Sequence, residues 1–332
     1  MATIYEVSKL AGVSLATVSR VINHSSAVKQ KTREKVEKAM LDLNYKPNSV
    51  AKSLASSRSD CVGVLVSELQ GFFFTNMMAA IEIECRKYDK HIIATASDQT
   101  HEKDGIQFLI SRNCDALIIQ VEALSDEYLI ELCSGDLPIV IVNRYIEEIA
   151  DNCIDVDNEQ GQYLATQYLI DKGHREIVYV SGPANKNDAM MRLKGYKQAL
   201  SDNDIKIEQD RIFEGDYLQE GGAKAFEYFY HSDIPYTAIL CANDEMATAV
   251  MASAREKGLN LPDDLSILGF DDVVFSRYTY PKLTTIEHPI RKMGEMAARS
   301  VLKRVYKKNV GELINHFSPS IIERDSVKSI LG

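Results

Sequence analysis

Several polar side chains in this 332-residue chain stand directly after apolar, β-branched runs. Residues 139–142 are followed by Asn143 and Arg144, 238–242 by Asn243 and Asp244, and 266–270 by Asp271 and Asp272. The run 177–180 leads through Ser181-Gly182-Pro183 and a loop to Asp188 and Arg192. A carboxylate accepts from two adjacent hydroxyls and a planar guanidinium donates in a fork, so this set suits a polyhydroxylated small molecule. Taken singly, each residue has a structural explanation as well: Asn243 and Asp271 can cap a following helix. Phe72, Phe73 and Phe74 form an apolar wall at a helix start, or plain core.

Other site chemistries lack their motifs. No GxGxxG follows an apolar run, and GxxxxGK(S/T), HExxH and GxSxG are absent. Dinucleotide, nucleotide, zinc-hydrolase and serine-hydrolase readings therefore have no motif to rest on. The six cysteines (61, 85, 114, 133, 153 and 241) include no CxxC pair. They fit reduced, buried thiols better than metal or redox chemistry. The chain reads as a non-enzyme with no metal and no cofactor.

The polar positions need a frame. Short β-branched runs at 61–66, 92–96, 116–121, 139–142, 177–180, 238–240 and 266–268 alternate with amphipathic stretches. Those stretches lie at about 75–88, 102–112, 126–133, 160–172, 189–202, 221–230, 245–257 and 291–307. Continuous apolar strands alternating with helices indicate parallel sheets buried on both faces. Two doubly wound units fit the length, and ligands of such units lie beyond the carboxyl ends of the strands.

The first sixty residues follow another pattern. Thr3-Ile4-Tyr5-Glu6 reads as a capping box opening a helix with Val7 and Leu10 on its apolar stripe. Gly12 suits a turn at positive φ. Ser14 is a good N-cap for a second helix, LATVSRVIN, in which Val18, Val21 and Ile22 share a face. The opposite face shows Leu15, Ala16, Ser19 and Arg20. Apolar groups can contact thymine methyls, Arg20 can donate twice to guanine, and the Thr17 and Ser19 hydroxyls can reach phosphates. A third helix, about 31–43, closes the small core with Val36, Met40 and Leu43. Pro47 stops it, Asn48 can cap a short helix to about Ala55, and the serines of 56–59 read as a linker. Any small bundle could contain such a helix pair; the apolar exposed face favours a DNA-binding helix-turn-helix.

Charge supports that choice. Residues 1–58 hold ten basic and four acidic side chains, a net +6, which leaves −16 for the rest of a chain whose total is −10. A basic module on an acidic body is the electrostatic footprint of nucleic-acid binding. No apolar run approaches the roughly 18 residues that cross a bilayer. The opening MATIYEVSKLAGVS lacks the apolar core of a secretion signal, so a cytoplasmic protein is expected.

GVSLATVSRVIN followed by YKPNSVAKSLAS resembles the DNA-binding and hinge segments of the LacI/GalR repressor family, contiguously over nearly sixty residues. In the body, GHREIVYVSGP, MRLKGYKQAL, AILCANDEMA and LSILGFDDV resemble the family's blocks. GFDDVVFSRYTYPKLTT and FSPSIIERDSV look most like its galactose-repressor branch. The resemblance implies an α/β fold class: an all-helical helix-turn-helix domain (1–46), a hinge helix and linker (47–60), and a periplasmic-binding-protein-like body (61–332). That body would be two doubly wound parallel-sheet subdomains, about 61–158 with 290–318 and about 159–289 with 319–332.

The resemblance also implies site residues. Thr3, Ser14, Leu15, Ala16, Thr17, Ser19, Arg20 and Asn23 would meet operator DNA, and Leu54 would wedge into its minor groove. Phe73, Asn143, Asp188, Arg192, Tyr217, Asn243 and Asp271 would hold the effector, with Tyr217 stacking a face on the sugar or else standing as a half-buried loop aromatic. The implied function is repression at palindromic operator DNA, controlled by a small galactose-like sugar bound between the subdomains. A ligand acting as corepressor and a periplasmic-type sugar-binding protein are the alternatives. The chain stops at Ser329-Ile330-Leu331-Gly332 without a leucine heptad tail, so a homodimer is expected and a coiled-coil tetramer is not.

Overall fold

The structure, a computed structural model, describes residues 2–22, 27–45, 58–69 and 71–331. It divides into two compact units, 1–60 and 61–332. The hinge stretch 48–55, with Leu54, and Asn23 lie outside the described residues.

The first unit holds three helices, α1 (Ile4–Ala11), α2 (Leu15–Ile22) and α3 (Gln30–Asp42). The capping box forms: the Thr3 hydroxyl accepts from the Glu6 N–H, and the Glu6 carboxylate accepts from the Thr3 N–H at 2.7 Å. Gly12 ends α1 in the left-handed region, at φ +65°. Ser14 Oγ accepts from the Thr17 N–H at 3.2 Å and so caps α2. Val7, Val18, Val21, Val36 and Ala39 make the core. Two expectations are corrected here. Leu10 is 54% exposed and not part of the stripe. Ala39, three residues after Val36, takes the central place in α3, with Met40 and Leu43 only partly buried at the edge.

The second unit is two lobes, each a six-stranded sheet. In chain order the first lobe brings β1 (Cys61–Val66), α4 (Phe72–Arg86), β2 (His91–Ala96), α5 (Glu102–Ser111), β3 (Ala116–Ile119), α6 (Asp126–Cys133), β4 (Ile139–Val142) and β5 (Cys153–Val156). The second brings α7 (Asn158–Asp171), β6 (Ile177–Ser181), α8 (Asn187–Asp202), β7 (Ile212–Glu214), α9 (Gln219–Tyr230), β8 (Ala238–Cys241), α10 (Asp244–Glu256), β9 (Ser266–Asp271) and β10 (Thr284–Glu287). The chain then returns to the first lobe with α11 (Ile290–Tyr306) and β11 (His316–Phe317), and ends on β12 (Ser320–Ile322) in the second.

Strand order is β2-β1-β3-β4-β5-β11 in one sheet and β7-β6-β8-β9-β10-β12 in the other. All pairings are parallel except β10 with β12. The order reverses between β1 and β3 and again between β6 and β8, and crevices open at such reversals. The central strands bury both faces. Val62, Val64 and Val66 pack under α4 and α11, while Leu65 points the other way, towards Ile106 and Leu109 of α5. The second lobe's core gathers around Tyr179, Phe226, Phe229 and Phe270.

Candidate functional site

The carboxyl ends of both sheets face one cavity of about 320 Å3 between the lobes. All seven effector residues expected from sequence line it: Phe73 and Asn143 from the first lobe, and Asp188, Arg192, Tyr217, Asn243 and Asp271 from the second. Phe72 and Phe74 complete the apolar wall with Phe73.

Arg192 is the fixed point. It is buried in the first half of α8, its guanidinium lying 3.7 Å over the Phe270 ring. Nε donates to Asn158 at 2.8 Å, and Nη1 donates to the Ala242 carbonyl. Burial opposes its charge, but Tyr217, Asp271 and Asp188 outweigh that penalty and hold its pKa above the ordinary arginine value. Nη2 stands 3.5 Å from Asp271 Oδ1, longer than the about 2.7–2.9 Å of a charge-assisted hydrogen bond. Each group thus keeps bonding capacity towards the cavity.

The backbone is held in unusual conformations around this pair. Asn143 (φ +64°), Tyr217 (+66°) and Asp271 (+114°) all have positive φ, which favours glycine and, less strongly, Asn or Asp. Tyr217 is the costly one among them, and it is pinned: the Asn243 Nδ2 donates to its carbonyl at 2.8 Å. Its ring also seats against Gly182, where a Cβ would come within 2.3 Å of it. That close approach explains the glycine of the Ser-Gly-Pro loop. The hydroxyl of Tyr217 and Oδ1 of Asn143 are enclosed without a protein partner. Both point to a ligand that offers hydrogen bonds.

Asn243 does what capping predicts and also lines the cavity. Its Oδ1 accepts from the Met246 N–H at 3.0 Å, starting α10. Asp271 does not cap a helix; the carboxylate is presented to Arg192 and to His288, whose Nδ1 lies 3.3 Å away. Two neighbours singled out with them turn elsewhere. Arg144 donates to the Leu124 carbonyl and to Asp126. Asp272 pairs with Arg277 and Arg324.

In the helical unit, α2 turns Leu15, Ala16, Ser19 and Arg20 outward, while Val18 and Val21 are buried. Ser14 and Thr17 are joined by their hydroxyls at 2.9 Å at the start of that face, and Thr3 is exposed at the N-terminus of α1.

Comparison with known proteins agrees with both halves. Residues 3–48 match the model of bacterial regulatory proteins, lacI family, and residues 166–327 match a periplasmic binding protein-like domain. The chain is 35% identical to the HTH-type transcriptional repressor PurR of Vibrio atlanticus (strain LGP32), covering 99% of this chain and 100% of that protein. It is 34% identical to the HTH-type transcriptional regulator GalR of Escherichia coli (strain K12), covering 99% and 96%. The lac repressor dimer bound to operator and the anti-inducer ONPF superposes with a TM-score of 0.85 at 30% identity, over 98% of this chain and 99% of that one. The chain belongs to the lacI family. It is a sequence-specific DNA-binding transcriptional repressor of that family.

The repressor's cavity also uses residues the sequence reading passed over. Glu68 follows β1, Gln120 and Glu122 follow β3, and Asp216 follows β7. The strand-end rule that found Asn143 reaches Glu68 and Glu122, but Gln120 falls inside the run 116–121 read as strand, and Asp216 follows a strand too short for the pattern to show. Lys186 and Glu245 had no such signal. Lys186 sits 3.5 Å from Glu122 across the cleft, and Asn185 donates to Gln99 across it at 2.9 Å. Among the described residues no cluster of three metal-ligating side chains occurs, and no helix is long and apolar enough to cross a membrane.

Proposed function

We propose that the repressor is controlled by a small galactose-like sugar held in the cavity between its lobes. The observation that carries this reading is the pairing of Arg192 with Asp271 at 3.5 Å, both with capacity left for hydroxyls, beside a wall of three phenylalanines. Fork donor, carboxylate acceptor and apolar wall are the three elements that distinguish a sugar's edges from its face. Asp188, Asn143 and Asn243 complete the polar ring, and Tyr217 adds its hydroxyl. Phe73 supplies part of the wall.

In this reading Leu15, Ala16 and Arg20 touch base edges of a palindromic operator, while Thr3, Ser14, Thr17 and Ser19 meet its phosphates. Asn23 and Leu54 extend the contact. The working unit is a homodimer, one half-site to each subunit. The sugar lowers operator affinity by a coupling free energy of about 1–3 kcal/mol. The test is retardation of a palindromic DNA by the full chain across a galactose titration. Release of DNA supports the reading. Tighter binding reverses the sign to corepression, and no effect of galactose removes it as the effector.

A further inference from the structure

The cavity has a strong bias of charge. Six of its lining residues are carboxylates (Glu68, Glu122, Asp188, Asp216, Glu245 and Asp271), and two are cations, Lys186 and Arg192. Each cation already faces a carboxylate: Lys186 faces Glu122 and Arg192 faces Asp271, each at 3.5 Å. The other donors of Arg192 are held by Asn158 and the Ala242 carbonyl. A phosphate or carboxylate on the ligand would have to compete with a wall carboxylate for either cation.

One seat for an anion is nevertheless built into the fold. α4 begins at the cavity with Phe72, and Gly71 before it offers no side-chain cap, so the first N–H groups of a 15-residue helix open towards the ligand space. Helix N-termini of this kind attract anions. Here Glu245, from the opposite lobe, occupies the place. Its carboxylate stands at that helix start, with Oε1 3.9 Å from where a Cβ on Gly71 would stand.

We infer that Glu245 reserves this cavity for an effector without negative charge, shutting out phosphorylated and carboxylated sugars. This rests on the sugar reading above and sharpens it. The regulator senses the free sugar, ahead of any phosphoryl transfer that consumes it. Glu245 fills the helix terminus with the protein's own charge, and the remaining carboxylates repel a second anion.

Calorimetry on the full chain tests this with D-galactose and D-galactose 6-phosphate, for the wild type, Glu245→Gln and Glu245→Ala. The ester should bind the wild type roughly tenfold or more weakly than the free sugar, and that ratio should shrink in Gln and further in Ala. An ester that binds the wild type within about threefold of galactose overturns the inference while leaving the sugar reading intact. So does a ratio that neither substitution moves. Inorganic phosphate gives an arm independent of any sugar. At matched ionic strength it should raise the melting temperature of Glu245→Ala and not that of the wild type. Equal stabilisation of both overturns the proposal. Silence of both sugars with a phosphate effect confined to the variant rejects galactose and supports the role of Glu245.

Discussion

The Asp244 carboxylate accepts from the backbone N–H of Val273 at 3.0 Å, and through that bond α10 holds the loop that carries Asp271. Asp244 is fully buried, and its second oxygen accepts from the Thr285 hydroxyl at 2.6 Å. Gly269 makes room for it, since a Cβ there would lie 2.2 Å from Oδ1. With Asp271 and Asp272 both at positive φ, this loop is strained and needs an anchor.

Asp244→Asn should loosen that anchor. An amide that still accepts from Thr285 turns its NH2 towards the Val273 N–H, and leaving a buried donor unpaired costs about 1–3 kcal/mol. The pH dependence adds a second signature. Burial, with the neighbouring Asp271 charge, raises the Asp244 pKa well above the usual carboxylate range. An acid whose pKa is raised by folding holds its proton more tightly in the folded state. Its contribution to stability is therefore largest at low pH and is lost as pH climbs from the unfolded value of about 4 towards the folded one. The variant cannot ionise there, so its melting-temperature deficit against the wild type should narrow as pH rises through that window. A constant deficit would show that Asp244 does not titrate as described.

His288 offers a test that separates polar positioning from packing. It lies where the chain crosses from β10 to α11, its ring 5.2 Å from that of Phe73 and 6.1 Å from that of Phe270. Its Nδ1 is 3.3 Å from Asp271 and 3.4 Å from Arg192 Nη2, and it cannot serve both: Asp271 needs a proton on that nitrogen and Arg192 needs its lone pair. His288→Asn keeps a polar atom near Nδ1, whereas His288→Leu keeps the bulk. If His288 positions the pair, Asn should retain more galactose affinity than Leu. The reverse order, read by calorimetry, would assign it a packing role.

Much of this was legible beforehand because two simple rules operate. Buried parallel strands are continuous apolar runs, so β1 and β4 fall where the pattern puts them. Cavity residues follow such strands, which located Asn143, Asn243 and Asp271. The strands missed were CIDV, IFE, TTIE and the two short C-terminal ones, β11 and β12. They are two to four residues long and several carry acids or threonines, so sheet pairing, not periodicity, defines them. The pairings across the cleft were invisible for another reason. Lys186 and Glu122 are brought together by the packing of two lobes, which no local pattern encodes.

Arg20→Ala probes the other end of the chain. Arg20 is exposed on α2 beside Leu15 and Ala16. Losing a bidentate contact to guanine should weaken operator binding by about 1–3 kcal/mol per half-site. Non-specific binding to salmon-sperm DNA should persist, with its steep salt dependence, because the lysines of the basic unit remain. Wild-type operator affinity in Arg20→Ala would exclude α2 as the reader.

Asp271→Ala tests the link between the two ends. The carboxylate is the acceptor that faces Arg192 within the cavity, and hydrogen bonds to a charged group contribute about 1.5–3 kcal/mol each. Its loss should weaken galactose binding by roughly tenfold or more. The residues proposed to read the operator lie in the separate 1–60 unit, so DNA binding without sugar should be that of the wild type. Arg192 would lose one partner but keep Asn158, the Ala242 carbonyl and the Phe270 face, so the fold should survive. The expected product is a repressor that holds its operator at sugar concentrations that release the wild type. The decisive measurement is operator affinity of Asp271→Ala across the galactose titration, with far-ultraviolet circular dichroism to verify folding. Release at the wild-type concentration would take Asp271 out of the effector site, and with it the pairing on which the sugar reading stands.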